Sequence, residues 1–186
     1  NPNTIAANIA LKFPESTGPI GVTVPGVVQH GVVKSAANID QSWLGCDADK
    51  IFTDALDREV HVVNDADAAG LAEVAYGAAK GRGGLVIVTT LGTGIGSAII
   101  NDGVLVPNSE LGHLEIDGEI AEKRASTVAM EKAGLSFEEW GVLLTRYYRH
   151  LDRLFTPDLF VIGGGVSKEW EALGHLIDVD VETVPA

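Results

Sequence analysis

Asn64 and Asp65 follow the apolar run at residues 60–63 and precede an alanine-rich segment, so a carboxylate stands where a strand gives way to a helix. A carboxylate at the carboxyl end of a strand can face a cleft and take the proton of a substrate hydroxyl. The same residue types also make an Asx cap for the following helix, and both readings stay open for Asp65. Asp67 fits the first helical turn as a dipole partner and needs no catalytic role. Downstream, Leu91-Gly92-Thr93-Gly94-Ile95-Gly96 follows a second apolar run. Glycines there let backbone N–H groups approach an oxyanion, and Thr93 adds a hydroxyl donor. The segment lacks the Gly-Lys-Ser/Thr ending of a P-loop and leads into a strand, so a phosphate loop and a plain tight turn are both open.

Glu110-Leu111-Gly112-His113 spaces a carboxylate and an imidazole so that they can converge on adjacent hydroxyls of a polyol. Glu115 and Asp117 extend that segment without a tight metal-ligand signature, and no metal site is expected. His61, His150 and His175 read as core or surface histidines. Gly163-Gly164-Gly165 closes the run Leu159-Phe160-Val161-Ile162. Three successive glycines cost chain entropy, which suggests a close backbone approach to a ligand or a hinge, with a tight turn as the alternative.

Placing these groups requires an α/β arrangement. Strands are expected at residues 20–24, 60–63, 85–90, 97–100, 104–106 and 159–162, with a hairpin over 27–33. Asp47 caps a helix through Phe52 and Leu56; another helix puts Ala68, Leu71, Ala72 and Ala75 on one face. Residues 120–133 read as one helix. Ser136 and Glu139 form a capping box for a helix burying Leu143, Leu144, Tyr147, Leu151 and Leu154. Ser167 is expected to cap a last helix through Trp170 and Leu173, and residues 179–186 to add no closing element. The hairpins at 27–33 and 97–106 make the sheets mixed rather than purely parallel.

Composition narrows the partners. With 26 acidic against 13 basic side chains the net charge is −13, which argues against a broad nucleic-acid surface. Local cationic candidates are Lys80 and Arg82, Lys123 and Arg124, and Arg146, Arg149 and Arg153. Cys46 is the single cysteine, so neither an intrachain disulfide nor a thiolate cluster can form. No apolar stretch approaches the ~20 residues of a membrane helix. Asn-Pro-Asn is not a signal peptide and reads as an internal start, and the cytoplasm is the expected compartment.

Taken in order and spacing, these segments resemble the repressor–open-reading-frame–kinase (ROK) family of sugar kinases, and within it the bacterial polyphosphate glucokinase branch. The strongest portions are Val62 through Glu73 and Thr90 through Gly118. The resemblance implies an actin-like, ribonuclease H-like (hexokinase-type) α/β fold with mixed sheets and two lobes around a cleft. Residues 1–76 would be the remainder of the N-terminal lobe and 77–186 the C-terminal lobe. It implies that Asp65 deprotonates the 6-hydroxyl of a sugar, and that Asn64, Glu110, His113 and Glu122 bind that sugar, with Gly26 and Asn38 near it. Gly92, Thr93 and Gly94 fall on the second phosphate loop, and Gly164 and Gly165 near the phosphoryl donor. The implied reaction is transfer from inorganic polyphosphate, with ATP as a further donor, to glucose and to mannose. Magnesium is the implied cofactor and a homodimer the implied assembly. The cysteine-rich zinc motif of many relatives is absent, as in the polyphosphate-dependent branch, so no zinc is expected. The family's first phosphate loop would lie ahead of Asn1 and its final helix beyond Ala186. The alternatives are an ATP-dependent hexose or N-acetylhexosamine kinase and a noncatalytic sugar-sensing domain.

Overall fold

In the computed structural model, residues 1–13, 17–36 and 39–186 are described. They form two compact units, Asn1–Ala68 and Ala69–Ala186.

The first unit opens with helix α1 (Pro2–Lys12), to which the sequence reading assigned no element. Its signal is local: Asn1 caps it by accepting from the Thr4 amide at 3.0 Å, and Pro2 sits where a missing N–H costs nothing. Strand β1 (Ile20–Val24) is followed by β2 (Val28–Gln29) and β3 (Val32–Val33), an antiparallel hairpin. Helix α2 (Ala48–Leu56) is capped by Asp47, whose carboxylate accepts from the Lys50 amide at 2.9 Å. Strand β4 (Val60–Asn64) pairs parallel with β1 in the register Val24↔Asn64. Val24, Val28, Val33, Phe52, Val60 and Val62 are buried together, and Trp43 stacks on Phe52 at a centroid distance of 6.1 Å.

Helix α3 (Asp65–Ala75) crosses from the first unit into the second. Its inward face is not the expected one. Ala66, Asp67 and Gly70 are buried, whereas Leu71, Ala72 and Ala75 are exposed. Gly70 explains the rotation, because its missing side chain admits Ala98 and Ile100 against the helix backbone.

The second unit is built on a five-stranded mixed sheet in the order β11-β10-β5-β6-β7. Strands β5 (Leu85–Leu91), β6 (Ile95–Asn101) and β7 (Val104–Val106) run antiparallel in sequence. The expected turn joins the last two, with Asp102 and Gly103 at positive φ. A minor hairpin of β8 (Glu115–Ile116) and β9 (Glu119–Ile120) follows. The single helix expected over 120–133 is two, α4 (Glu122–Ala125) and α5 (Thr127–Ala133), broken at Ser126. Ser126 is extended, at φ −69° and ψ 158°, and its hydroxyl accepts from the Ala129 amide at 3.1 Å.

Helix α6 (Phe137–Phe155) begins with the expected capping box and buries Trp140, Leu144, Tyr147, Tyr148 and Leu151, while Leu154 is exposed rather than buried. Strand β10 (Leu159–Gly164) extends two residues into the glycine run. Ser167 does not cap a helix: its hydroxyl donates to the Gly164 carbonyl at 3.0 Å within a 3-10 turn that precedes α7 (Trp170–Leu173). Residues 183–185 form β11 (Thr183–Pro185), parallel to β10, where no element was expected. The alternation of β5 divides the core. Ile87 and Leu91 pack with Tyr148, Leu151 and Phe160, whereas Val86 and Val88 join Ala98 and Val161 on the other face.

Candidate active site

The parallel register of β1 with β4 brings the ends of both strands together, so the turn at Gly26 lies beside Asn64. Asn64 Nδ2 donates to the Gly26 carbonyl at 3.1 Å, and Asn64 Oδ1 accepts from the amides of Ala66 (2.8 Å) and Asp67 (3.1 Å). Asn64 therefore caps α3. Asp65 Oδ1 also accepts from Ala66 N at 2.9 Å, yet the residue is exposed at the carboxyl end of β4. Gly26 is glycine because a Cβ there would press on the Ser35 carbonyl, and the Ser35 hydroxyl accepts from the Val27 amide at 2.9 Å. Asn38 lies outside the described residues.

In the second unit, the turn from β5 to β6 carries Gly92, Thr93 and Gly94. The Gly92 amide donates to the Gly94 carbonyl at 3.0 Å and the Val128 amide donates to the Gly92 carbonyl at 3.2 Å, which pins α5 to the turn. Among the described residues, the amides of Thr93 and Gly94 and the Thr93 hydroxyl make no hydrogen bond, so they remain as donors for an oxyanion. Strand β10 pairs Gly164 with Leu91, so Gly164 and Gly165 flank the same turn. Gly164 sits at φ +92°, and a Cβ would strike the Leu91 backbone. Carboxyl ends of parallel strands are where open α/β sheets place ligands.

Glu110, His113 and Glu122 come together in that unit. His113 Nε2 lies 3.5 Å from Glu122 Oε1 and His113 Nδ1 lies 3.8 Å from Glu110 Oε2. Glu122 Oε2 accepts from the Ile95 amide at 3.3 Å, and a side chain at Gly94 would collide with this carboxylate. Two carboxylates bracketing an imidazole offer acceptors and a donor within one hydroxyl-sized patch, which suits a polyol. The segment bearing Glu110 is fastened by a pair the sequence reading did not single out. Buried Ser97 donates to the Ser109 carbonyl at 2.7 Å and accepts from the Leu111 amide at 2.9 Å, while the Ser109 hydroxyl donates to the Ser97 carbonyl at 3.0 Å. A serine inside an apolar strand was the available signal.

The cationic candidates divide into two groups. Arg82 is ion-paired with Glu182, Arg124 with Glu119, Arg146 with Asp117 and Arg149 with Asp178. Lys80, Lys123 and Arg153 have no carboxylate partner among the described residues. No helix among them is long and apolar enough to cross a membrane.

The ROK family profile matches residues 3–129. The chain is 48% identical over 170 residues to the polyphosphate glucokinase of Mycobacterium tuberculosis (strain CDC 1551 / Oshkosh), over 91% of this chain and 64% of that protein. It thus spans 64% of the length of this curated relative. The crystal structure of inorganic polyphosphate/ATP-glucomannokinase from Arthrobacter sp. strain KM superposes with a TM-score of 0.89 at 52% identity, covering 100% of this chain and 77% of that one. A ROK family glucokinase from Streptomyces griseus, solved with glucose and AMPPNP, superposes with a TM-score of 0.81 at 22% identity, over 100% of this chain and 82% of that one, a likeness of fold alone.

Proposed function

Because the chain belongs to the ROK family and has its actin-like, ribonuclease H-like α/β fold, we propose that the protein transfers a phosphoryl group from inorganic polyphosphate to the 6-hydroxyl of glucose. The observation that carries this reading is the 52% identity, over the whole chain, to a polyphosphate/ATP-glucomannokinase. By the same likeness, ATP is a second donor and mannose a second acceptor. Residues 1–76 then belong to the N-terminal lobe and 77–186 to the C-terminal lobe.

Asp65 is the base in this mechanism. With α3 capped by Asn64, the Asp65 carboxylate stands exposed at a strand end, where it can orient the attacking hydroxyl and accept its proton as the bond to phosphorus forms. Glu110, His113 and Glu122 hold the remaining sugar hydroxyls, and Asn64 and Gly26 bind beside Asp65; Asn38 is assigned to the sugar by family resemblance. The unpaired donors of Thr93 and Gly94 receive the oxygens of the transferred group, with Gly92, Gly164 and Gly165 shaping the loop around it. Most of the acceleration then comes from positioning and from fixed dipoles aimed at the developing charge.

Among the described residues no group of three or more His, Cys, Asp or Glu could hold a metal ion. Magnesium ordinarily keeps several waters and binds through substrate phosphates with one or two carboxylates. We assign magnesium to the donor's phosphates, whose charge it would neutralise. A cytoplasmic homodimer completes the reading, and sedimentation equilibrium tests the dimer.

The deciding experiment is glucose phosphorylation by the full-length protein with magnesium, polyphosphate against ATP, wild type against Asp65→Asn. Transfer from polyphosphate that collapses in the variant, with glucose binding retained, supports the reading. Transfer from ATP alone points to a nucleotide-dependent hexose kinase. Sugar binding with no transfer from either donor points to a sensor.

A further inference from the structure

Beside the turn that carries Gly92, Thr93 and Gly94 lies a cavity of ≈ 210 Å³, far above the ~10–15 Å³ that one water needs. Its wall is Thr93, Glu122, Lys123, Ser126, Val128, Ala129 and Lys132. The break at Ser126 shapes it: α4 contributes Lys123, α5 contributes Lys132, and the hydrogen bond from Val128 to Gly92 fixes α5 against the loop. Neither lysine is paired with a carboxylate among the described residues, whereas Arg82, Arg124, Arg146 and Arg149 all are. Lys80, Arg153 and Lys168 are unpaired too, but none of them lines this cavity. Glu122 faces the same space, and its carboxylate is already engaged by the Ile95 amide and approached by His113.

We propose that Lys123 and Lys132 form a subsite for the donor phosphates beyond the one being transferred, which makes this cavity the first stretch of a polyphosphate track. The inference rests on the proposed donor and adds where its chain runs. A run of phosphates leaving Thr93 meets two free ammonium groups within one cavity, so an anion is drawn into it even on a protein of net charge −13. The lining contains no aromatic side chain on which a nucleobase could stack, so the subsite favours a linear phosphate chain over a nucleoside.

The test uses the full-length protein with Lys123→Gln, Lys132→Gln, the double variant and the charge-retaining Lys123→Arg/Lys132→Arg pair. The double glutamine variant is expected to raise the KM for long-chain polyphosphate about tenfold, the equivalent of one charge-assisted contact, with kcat within about twofold. The KM for ATP should rise less, and the arginine pair should restore polyphosphate use. An unchanged polyphosphate KM in the double variant overturns the proposal while leaving the donor reading intact. A second readout does not depend on turnover: acetic anhydride labelling of Lys123 and Lys132, followed by mass spectrometry, with and without tripolyphosphate. Protection of both lysines supports the subsite even if wild type proves unable to transfer from polyphosphate. Labelling that tripolyphosphate leaves unchanged overturns it.

Discussion

His113 Nε2 stands 3.5 Å from Glu122 Oε1, and the opposite oxygen of that carboxylate accepts from the Ile95 amide at 3.3 Å. Glu122 can occupy this position because residue 94 has no side chain. A Cβ at Gly94 would meet the end of the Glu122 side chain, which is flexible and can swing aside. Gly94→Ala is therefore expected to leave the fold intact and to move the carboxylate. The loss of one charged hydrogen bond predicts a rise in glucose KM of about tenfold, with a melting temperature close to wild type. Steady-state kinetics beside a thermal melt separate the two. An unchanged KM would remove Glu122 from the proposed sugar site.

Gly112 presents the opposite case. A Cβ there would meet the Ile95 carbonyl, which is strand backbone and cannot rotate away. Gly112→Ala should cost about 1–3 kcal/mol, the usual range for overpacking, and lower the urea midpoint at unchanged m-value. If it instead behaves like Gly94→Ala, the turn bearing Glu110 and His113 is looser than its packing implies.

Asn64→Asp separates the two tasks of Asn64. Aspartate keeps the oxygen that caps α3 but replaces the Nδ2 donor to the Gly26 carbonyl with a second acceptor in a buried position. Leaving buried polar groups unpaired predicts a loss of about 1–3 kcal/mol, read by chemical denaturation. Full stability in this variant would show that the Gly26 contact contributes little and that capping is the main role of Asn64.

These sites differ in how far the sequence reveals them. The strands were legible because alternation is local: Val86 and Val88 part from Ile87 and Leu91 with period two. The Ser136–Glu139 capping box and the Asp102-Gly103 turn were legible for the same reason. The break at Ser126 was not, since Glu-Lys-Arg-Ala reads as continuous helix. It is stabilised by the Ser126 cap and by Trp140 on α6, whose indole Nε1 donates to the Ala125 carbonyl at 2.9 Å. The face of α3 was misread for a like cause, because Gly70 is buried by Ala98, a residue from a distant strand. The proposed site residues stood out by type, whereas the Ser97–Ser109 clamp beside Glu110 depends on register between segments.

Adjacent tyrosines on α6 make a matched pair. Tyr148 Oη shares a 2.7 Å hydrogen bond with Thr89 Oγ1 inside the core, while Tyr147 Oη is buried with no hydrogen-bond partner among the described residues. Tyr148→Phe strands the Thr89 hydroxyl and should cost about 1–3 kcal/mol. Tyr147→Phe removes an unpaired buried hydroxyl and should be neutral or stabilising. Equal losses in the two variants would contradict the assignment.

The same phenols set an alkaline limit on stability. Burial pushes the Tyr147 hydroxyl well above its ordinary value, with the neighbouring Tyr148 and Glu122 adding to the shift. Burial also raises Tyr148, against the smaller lowering effect of its bond to Thr89. In the unfolded chain both titrate near pH ~10. Below that pH both states hold the two protons and stability does not depend on them. Above it the unfolded state loses protons that the folded state keeps, so the unfolding free energy falls as pH rises, by up to ~1.4 kcal/mol per pH unit for each tyrosine. The fall ends only where the folded phenols themselves ionise. Urea unfolding followed from about pH 8 to 11 should be level at first and then decline beyond ~10. Tyr147→Phe should lessen that decline without lowering the plateau, which distinguishes a titration effect from general alkaline damage. A decline of undiminished slope in this variant would place its cause elsewhere.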